Sequence, residues 1–365
     1  MEDLKLKILD HYIIKKFLGT FFYSITLIMV ICVVFDISEK MDDFIENDAP
    51  LKAVVFDYYF NFIPYFAVLF SSLFTFIAVI FFTSKMAAQT EFIAILSNGV
   101  SFKRILWPYF LSALLISVLT YYLYDFVIPN ANKHRFAFEE RYIHNAPVNF
   151  NYRNLHRQLE PGIYAYMESF NNYSNTGYRF SLEKFDSGQH LVSKLLGEYI
   201  RWDSTKSKWN IQNYYIRDIK GFHETITRGN SIDTTLKLTP TDFRRRQNAV
   251  EAMDYFELRD FIADQKMQGA ENFEYLLVEK YKRVSVPFST FILTLIGVAL
   301  SSRKTRGGMG MHIGLGVALS FSYILFMQFS SQFAIGGSLP PLLAVWIPNI
   351  LYAGIAYYLY RTAPK

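Results

Sequence analysis

The run "GGMGMHIGLGVALSFSYILFMQFSSQFAIGGSLPPLLAVWIPNILYAGIAYYLY" (residues 307–360) contains no Asp, Glu, Lys or Arg. A helix needs about 20 apolar residues to cross the hydrocarbon core of a bilayer. The stretch therefore holds two spans, and "GGSLPP" (336–341) is the tight turn between them. Phe17–Phe35, residues 58–83, residues 105–124 and Val284–Ser302 are also free of charge. Together they predict six spans, at about 17–36, 58–83, 105–127, 284–302, 312–334 and 341–360. The composition agrees: 52% of the 365 residues are hydrophobic and only 19% are charged, against roughly a quarter in soluble domains. The first span reads as a span rather than a cleaved leader, because "DISEKMDDFIEND" follows it where a small-residue cleavage site would stand.

Orientation follows from Lys and Arg near the span ends. One side collects Lys5, Lys7, Lys15, Lys16, Lys85, Lys103, Arg104, Arg303, Lys304, Arg306, Arg361 and Lys365. The short loops of the other side hold only Lys40 and Lys52, among Asp36, Glu39, Asp42, Asp43, Glu46 and Asp48. Both termini are expected in the cytoplasm and residues 130–275 outside. The net charge of +5 reflects this asymmetry and does not point to nucleic acid. The single cysteine, Cys32, falls within span one, so the external part has no disulfide to hold it.

Residues 150–242 read as β. "GIYAYMESF", "YRFSLEKF", "HLVSKLLGEYIRWD", "KWNIQNYYIRDI" and "TTLKLTP" are separated by the turn-formers "NNYSNTG", "DSGQ", "DSTKSK", "KGFHET" and "TRGNS". The spacing predicts an antiparallel sandwich or open barrel. A closing helix follows, capped by Asp254 with Glu257 three residues on and ended by Gly269. The chain thus divides into an N-terminal membrane half (1–130), a β domain (131–275) and a C-terminal membrane half (276–365).

Chemistry is sparse. The sequence has no G-x-x-x-x-G-K-[ST] loop, no H-E-x-x-H and no G-x-S-x-G. Its seven histidines have no pair at metal-ligand spacing. The spans read as lacking buried Asp, Glu, Lys or Arg, which excludes a proton or sodium relay. In "RGGMGMHIG" (306–314) the glycines suit a cytoplasmic turn, with Gly310 and Gly314 spaced for close helix packing. An enzyme and an ion-coupled transporter are both disfavoured, so any transport must draw its energy from a partner.

One segment stands apart. "SKMAAQTEFIAILSNGVSFKR" (84–104) lies between two uncharged spans, where a few polar residues would suffice to reverse the chain. It predicts a short helix at about 84–98, capped by Ser84 and stopped by Asn98-Gly99, before Ser101 opens the next. The helix carries an apolar patch (Phe92, Ile93, Ile95, Leu96) and one acid, Glu91. Its residues fit either a docking element for a cytoplasmic partner or a helix lying in the headgroups.

Several blocks in order resemble one family, the LptF/LptG (YjgP/YjgQ) permeases of the lipopolysaccharide export system. They are "LDHYIIKKFLGTF" (9–21), "AAQTEFIAILSNGVS" (87–101), "VIPNANKHRFAFEERY" (127–142), "YKRVSVPFSTFILTLIGVALSSRKTRGG" (281–308) and "LPPLLAVWIPNILYAGIAYYLY" (339–360). The Tyr- and Phe-rich character, with "VVFDISEKMDDFIE", is similar to members from Bacteroidetes. The resemblance implies six transmembrane helices with a jellyroll-like all-β periplasmic domain inserted between helices 3 and 4, in the inner membrane of a Gram-negative cell. It implies a second LptF/LptG-type permease, an LptB-like ATPase dimer that binds the ATP and Mg, and LptC-like and LptA-like periplasmic proteins. This chain would hold no cofactor of its own.

By position, Glu91 matches the family glutamate that pairs with an ATPase arginine, with Phe92, Leu96 and Gly99 in the same docking segment. The G type places several basic residues at the outer end of span one to meet lipid phosphates. Here Lys40 stands alone among acids, which leaves the subunit type open; Lys133 and Arg135 are the other candidates, for phosphate contact or for ordinary headgroup snorkelling. In the β domain, Tyr164, Tyr166, Phe180, Leu182, Tyr199 and Ile211 recur at period two, and are expected to face an interior that holds acyl chains. Two rival functions remain: a membrane-anchored glycan-processing enzyme, whose Glu160, Glu168, Glu183, Asp186 and Glu198 form no recognisable motif, and a mechanotransmission permease that drives a periplasmic partner without carrying lipid.

Overall fold

The computed structural model describes residues 7–143, 152–171, 173–240, 247–268, 273–302 and 308–363. They fall in two compact units, Met1–Ile143 with Glu274–Lys365, and His144–Phe273. In chain order the helices are α1 (Ile8–Glu46), α2 (Leu51–Ala88), α3 (Glu91–Ser97), α4 (Phe102–Tyr142), α5 (Tyr255–Gln268), α6 (Phe273–Ser301), α7 (Gly308–Ile335) and α8 (Pro341–Thr362). All but α5 belong to the first unit.

Six of these helices (α1, α2, α4, α6, α7 and α8) are long and apolar enough to cross a membrane. Five of the expected spans lie wholly inside one of them, and the fourth, 284–302, runs one residue past the end of α6 at Ser301. The helices overrun the spans, in α1 because polar sequence without a breaker continues a helix, and in α4 even past Pro129, which stands where a new α turn opens. α1 has 39 residues, so it is about 58 Å long at 1.5 Å per residue, nearly twice the hydrocarbon core. α4 likewise runs on through "IPNANKHRFAFEERY" to Tyr142, which carries the membrane unit to Ile143 rather than to the expected 130. Both α2 and α4 contain a π turn, at Val54–Tyr59 and Leu123–Val127.

Small and hydroxylated residues line the helix contacts, as suits packing in lipid where apolar burial drives little. Ser72 bonds Ser289 at 2.9 Å, Ser71 bonds Thr120 at 3.2 Å, and the Ser117 hydroxyl donates to the Pro287 carbonyl at 3.0 Å. The close glycine contacts are not the expected ones. A Cβ on Gly310 or Gly314 would meet nothing within 4 Å, whereas one on Gly316 would overlap Ile80 Cδ1 and one on Gly297 would stand 2.7 Å from Val79 Cγ1. The spacing found the right helix and missed the face it turns to α2.

In the second unit six strands, β1 (Tyr152–Glu160), β2 (Ile163–Asn171), β3 (Thr176–Phe185), β4 (Leu191–Asp203), β5 (Lys208–Lys220) and β6 (His223–Thr234), form one antiparallel sheet in chain order. The register sets Ala165 opposite Leu182, Leu182 opposite Leu195, and Leu195 opposite Ile216. This face carries the core, with Phe180, Ile200, Trp209 and Ile211 fully buried. Three segments differ from the sequence reading, the first being β1, "YRNLHRQLE", which lies in the β region but is not among its expected strands. "KGFHET" and "TRGNS" are not successive turns: β6 runs through them after a tight turn at 221–222. "TTLKLTP" is not a strand beyond Thr234; its Leu236 and Leu238 pack on the core from an irregular segment, and Trp209 Nε1 donates to the Leu238 carbonyl at 2.7 Å. α5 begins as expected, with the Glu257 amide donating to Asp254 Oδ1 at 2.8 Å and the Asp254 amide to Glu257 Oε2 at 3.1 Å. Gly269 lies outside the described residues, as do Lys5, Arg303, Lys304, Arg306 and Lys365 of the charge pattern.

The charge asymmetry predicts opposite accessibility for two exposed sites, Ser97 and Ser187. In a Cys32→Ala background, an impermeant thiol reagent on intact cells labels Ser187→Cys and spares Ser97→Cys. The reverse pattern overturns the orientation.

Candidate functional site

The segment between α2 and α4 is shorter and sharper than the sequence implied. Nothing in "FFTSKMAA" breaks a helix, so α2 continues to Ala88 and Ser84 is a buried interior residue, not a cap. The break comes at Gln89-Thr90, where Thr90 adopts φ +62°, a conformation uncommon for a branched side chain. α3 then runs only from Glu91 to Ser97. It ends as expected: Gly99 has φ +82° and its amide donates to the Leu96 carbonyl at 3.0 Å. The Ser101 hydroxyl accepts from the Arg104 amide at 3.3 Å to open α4.

The four docking candidates separate by burial. Phe92 is 0% exposed and packs its ring edge-on against Phe102, so it anchors α3 to its own chain and cannot reach a partner. Leu96 is half-buried against the same core. Ile93, Ala94 and Ser97 form the outward face, with Gly99 exposed beyond them and Glu91 at the edge. Tyr12 of α1 donates its hydroxyl to Glu91 Oε2 at 3.1 Å. Next to it, Arg104 grips Asp10 of α1 through two bonds of 2.7 and 2.6 Å.

The basic candidates for lipid phosphate also separate. Lys40 is held by Asp36 at 2.8 Å and by the Tyr58 hydroxyl, over whose ring it sits at 4.7 Å. Arg135 is buried, 3.4 Å from Glu139 and 4.8 Å above the Tyr65 ring. It therefore serves helix packing. Lys133 is exposed.

The expectation that the spans lack buried charge is overturned. Asp125, in the π turn of α4, is 1% exposed, and Arg283 of α6 is 3% exposed; Arg283 Nη1 stands 3.3 Å from Asp125 Oδ1. Glu279, one helical turn before Arg283, is buried as well. The sequence signal was present, as a lone Asp closing an uncharged run and an Arg opening another, but each reads as the limit of a span.

The sheet does not gather the six apolar candidates on one face. Tyr164 is opposite Glu183 and Tyr166 opposite Ser181, while Ala165 is opposite Leu182. Tyr164 and Tyr166 thus lie on the face away from Phe180, Leu182 and Ile211. The second face is open and bears a hollow of about 900 Å³ lined by His156, Tyr164, Tyr166, Glu183, Lys194 and Tyr215, among others. A Lys194–Glu183 bridge of 2.7 Å and an Arg179–Glu168 bridge of 2.9 Å sit in it. The hollow is amphipathic and four of its charged groups are paired in these two bridges, so it suits a ligand with both apolar and hydroxylated parts.

Among the described residues no group of three or more His, Cys, Asp or Glu is placed to hold a metal ion. The family model described as lipopolysaccharide export system permease LptF/LptG matches residues 11–362. No curated protein matches the chain.

Proposed function

The chain belongs to the LptF/LptG family of lipopolysaccharide export permeases, and from that membership we propose that it is the membrane subunit of an ATP-driven exporter that extracts lipopolysaccharide from the inner membrane and hands it on through its β domain. It is a multi-pass membrane protein and part of an Lpt transporter complex. In the finer reading, it pairs with a second permease of the same type on a dimer of an LptB-like ATPase, which binds the ATP and Mg. LptC-like and LptA-like proteins receive the lipid in the periplasm.

The observation that carries the reading is α3. It is a short helix fixed to its own chain by buried Phe92, and it presents Ile93, Ala94 and Ser97 outward beside the carboxylate of Glu91. A helix that only reversed the chain would need neither the anchor nor the acid. The tyrosine-lined hollow supplies a second support, as an open surface on which an amphipathic lipid can lie.

Photocrosslinking residues placed at Tyr166 and at Phe180 test lipid passage in the assembled complex. Capture of lipopolysaccharide at Tyr166 when ATP is supplied is the expected result. Capture at Phe180 instead assigns the path to the core face, which must then open from its closed state. Capture at neither position, with export intact, replaces this reading by a permease that drives a partner without carrying lipid.

A further inference from the structure

We propose that α1 is driven through a two-sided clasp, in which Tyr12 positions the Glu91 carboxylate and Asp10 binds Arg104, so that any displacement of the α3 segment is passed to the first membrane helix; this rests on the docking role of α3 proposed above. The clasp joins parts of the chain that are far apart: Tyr12 and Glu91 are 79 residues apart, and Asp10 and Arg104 are 94 apart.

The geometry follows from helix periodicity. Residues two apart on a helix point to nearly opposite sides, at about 100° per residue. Asp10 and Tyr12 therefore leave α1 in different directions, one to the first turn of α4 and the other to the first residue of α3. A helix held on both sides cannot roll or slide past its neighbour without breaking one bond. The Asp10–Arg104 contact is bidentate, the form of ion pair with the tightest geometric demand, and Asp10 is 1% exposed. Between the two ties, Ile13 and Phe17 of α1 pack in the same core as Met86, Phe92 and Phe102. α1, α3 and the start of α4 thus share one core and two polar links.

Tyr12 acts through Glu91. Its ring lies edge-on to Phe82 with centroids 6.2 Å apart, which fixes the hydroxyl in place. The hydroxyl then restricts where the carboxylate of α3 points. Thr90, with its φ of +62°, lies directly before Glu91; buried Phe92 anchors the body of α3, and the Tyr12 tie adds a polar link at its first residue.

Tyr12→Phe keeps the ring and removes only the donor. Two measurements on the full-length chain test it. In nanodiscs, hydrogen exchange of the α3 amides reads the clasp without any partner, and is expected to quicken about tenfold in the variant, the order of one lost hydrogen bond to a charged group. In the assembled complex, lipid released per ATP hydrolysed is expected to fall several-fold. Unchanged exchange overturns the clasp whatever transport does. Faster exchange with an unchanged ratio shows a tie that transmits nothing, and overturns the proposal too. If Glu91→Lys leaves export normal, the docking role fails separately, and the exchange result still decides whether the clasp exists.

Discussion

Glu91→Lys abolishes lipid export while the protein still inserts and folds. Glu91 is half-buried at the edge of α3, bonded to Tyr12 and next to the outward Ile93 and Ala94. If α3 seats in a groove of an ATPase, this carboxylate meets a basic group at a partly desolvated junction. Truncating one member of such a pair typically costs about 2–5 kcal/mol, because the other charge is left unpaired. That is roughly a 30-fold to several-thousand-fold loss in affinity, so Glu91→Ala alone should strip the ATPase during purification. Lysine is worse, since it adds repulsion to the lost attraction and also loses the acceptor for Tyr12. Reversing the partner arginine to glutamate restores part of the function in the Glu91→Lys background. A helix lying in the headgroups predicts the opposite, because added basic residues bind anionic lipid more tightly. Normal export by Glu91→Lys rules out docking through this residue.

How much of this was legible depended on how local the signal was. The six spans could be read because absence of charge over about 20 residues has few other meanings. The overrun of α1 could not, because hydropathy falls at Asp36 while nothing there stops a helix; that of α4 could not, because Pro129 reads as a break but falls where a new α turn opens after the π turn at Leu123–Val127. In the β unit, "TRGNS" looked like a turn for its Gly and Ser. Gly229 is there for packing: a Cβ on it would stand 2.5 Å from the Tyr214 hydroxyl. The two faces of the sheet were mixed for a related reason. Period two fixes which residues of one strand share a face, but only the register fixes how neighbouring strands are phased. Tyr164 pairs with Glu183, so Leu182 falls on the other side. Near the surface helix, Asn98-Gly99 announced its end through backbone chemistry, whereas Tyr12 and Asp10 entered the site from across the fold, where no spacing rule reaches.

The pair buried between α4 and α6 carries the largest expected effect on stability. Asp125→Ala leaves Arg283 buried without the carboxylate 3.3 Å away. Breaking such a pair costs about 3–5 kcal/mol, and charge is no cheaper to strand among membrane helices. Thermal unfolding of the purified protein should therefore move down by about 10 °C. The double variant Asp125→Leu with Arg283→Met should recover most of that loss, because apolar replacements remove the desolvation cost along with the attraction. Among the described residues Asp125 Oδ2 has no hydrogen-bond partner, so the pair is incompletely satisfied and an apolar substitute has little to match. Its placement argues for movement rather than rigidity. Asp125 lies in a π turn, and Arg283 stands four residues before Pro287, which leaves the Arg283 carbonyl without its usual helical donor. Both partners thus sit where their own helix is weakest, and π turns and prolines are where helices bend. If the pair opens as these helices bend, the double variant should be stable and still export poorly. Equal export by the double variant makes the pair a packing element only, and an unchanged melting point in Asp125→Ala denies it even that.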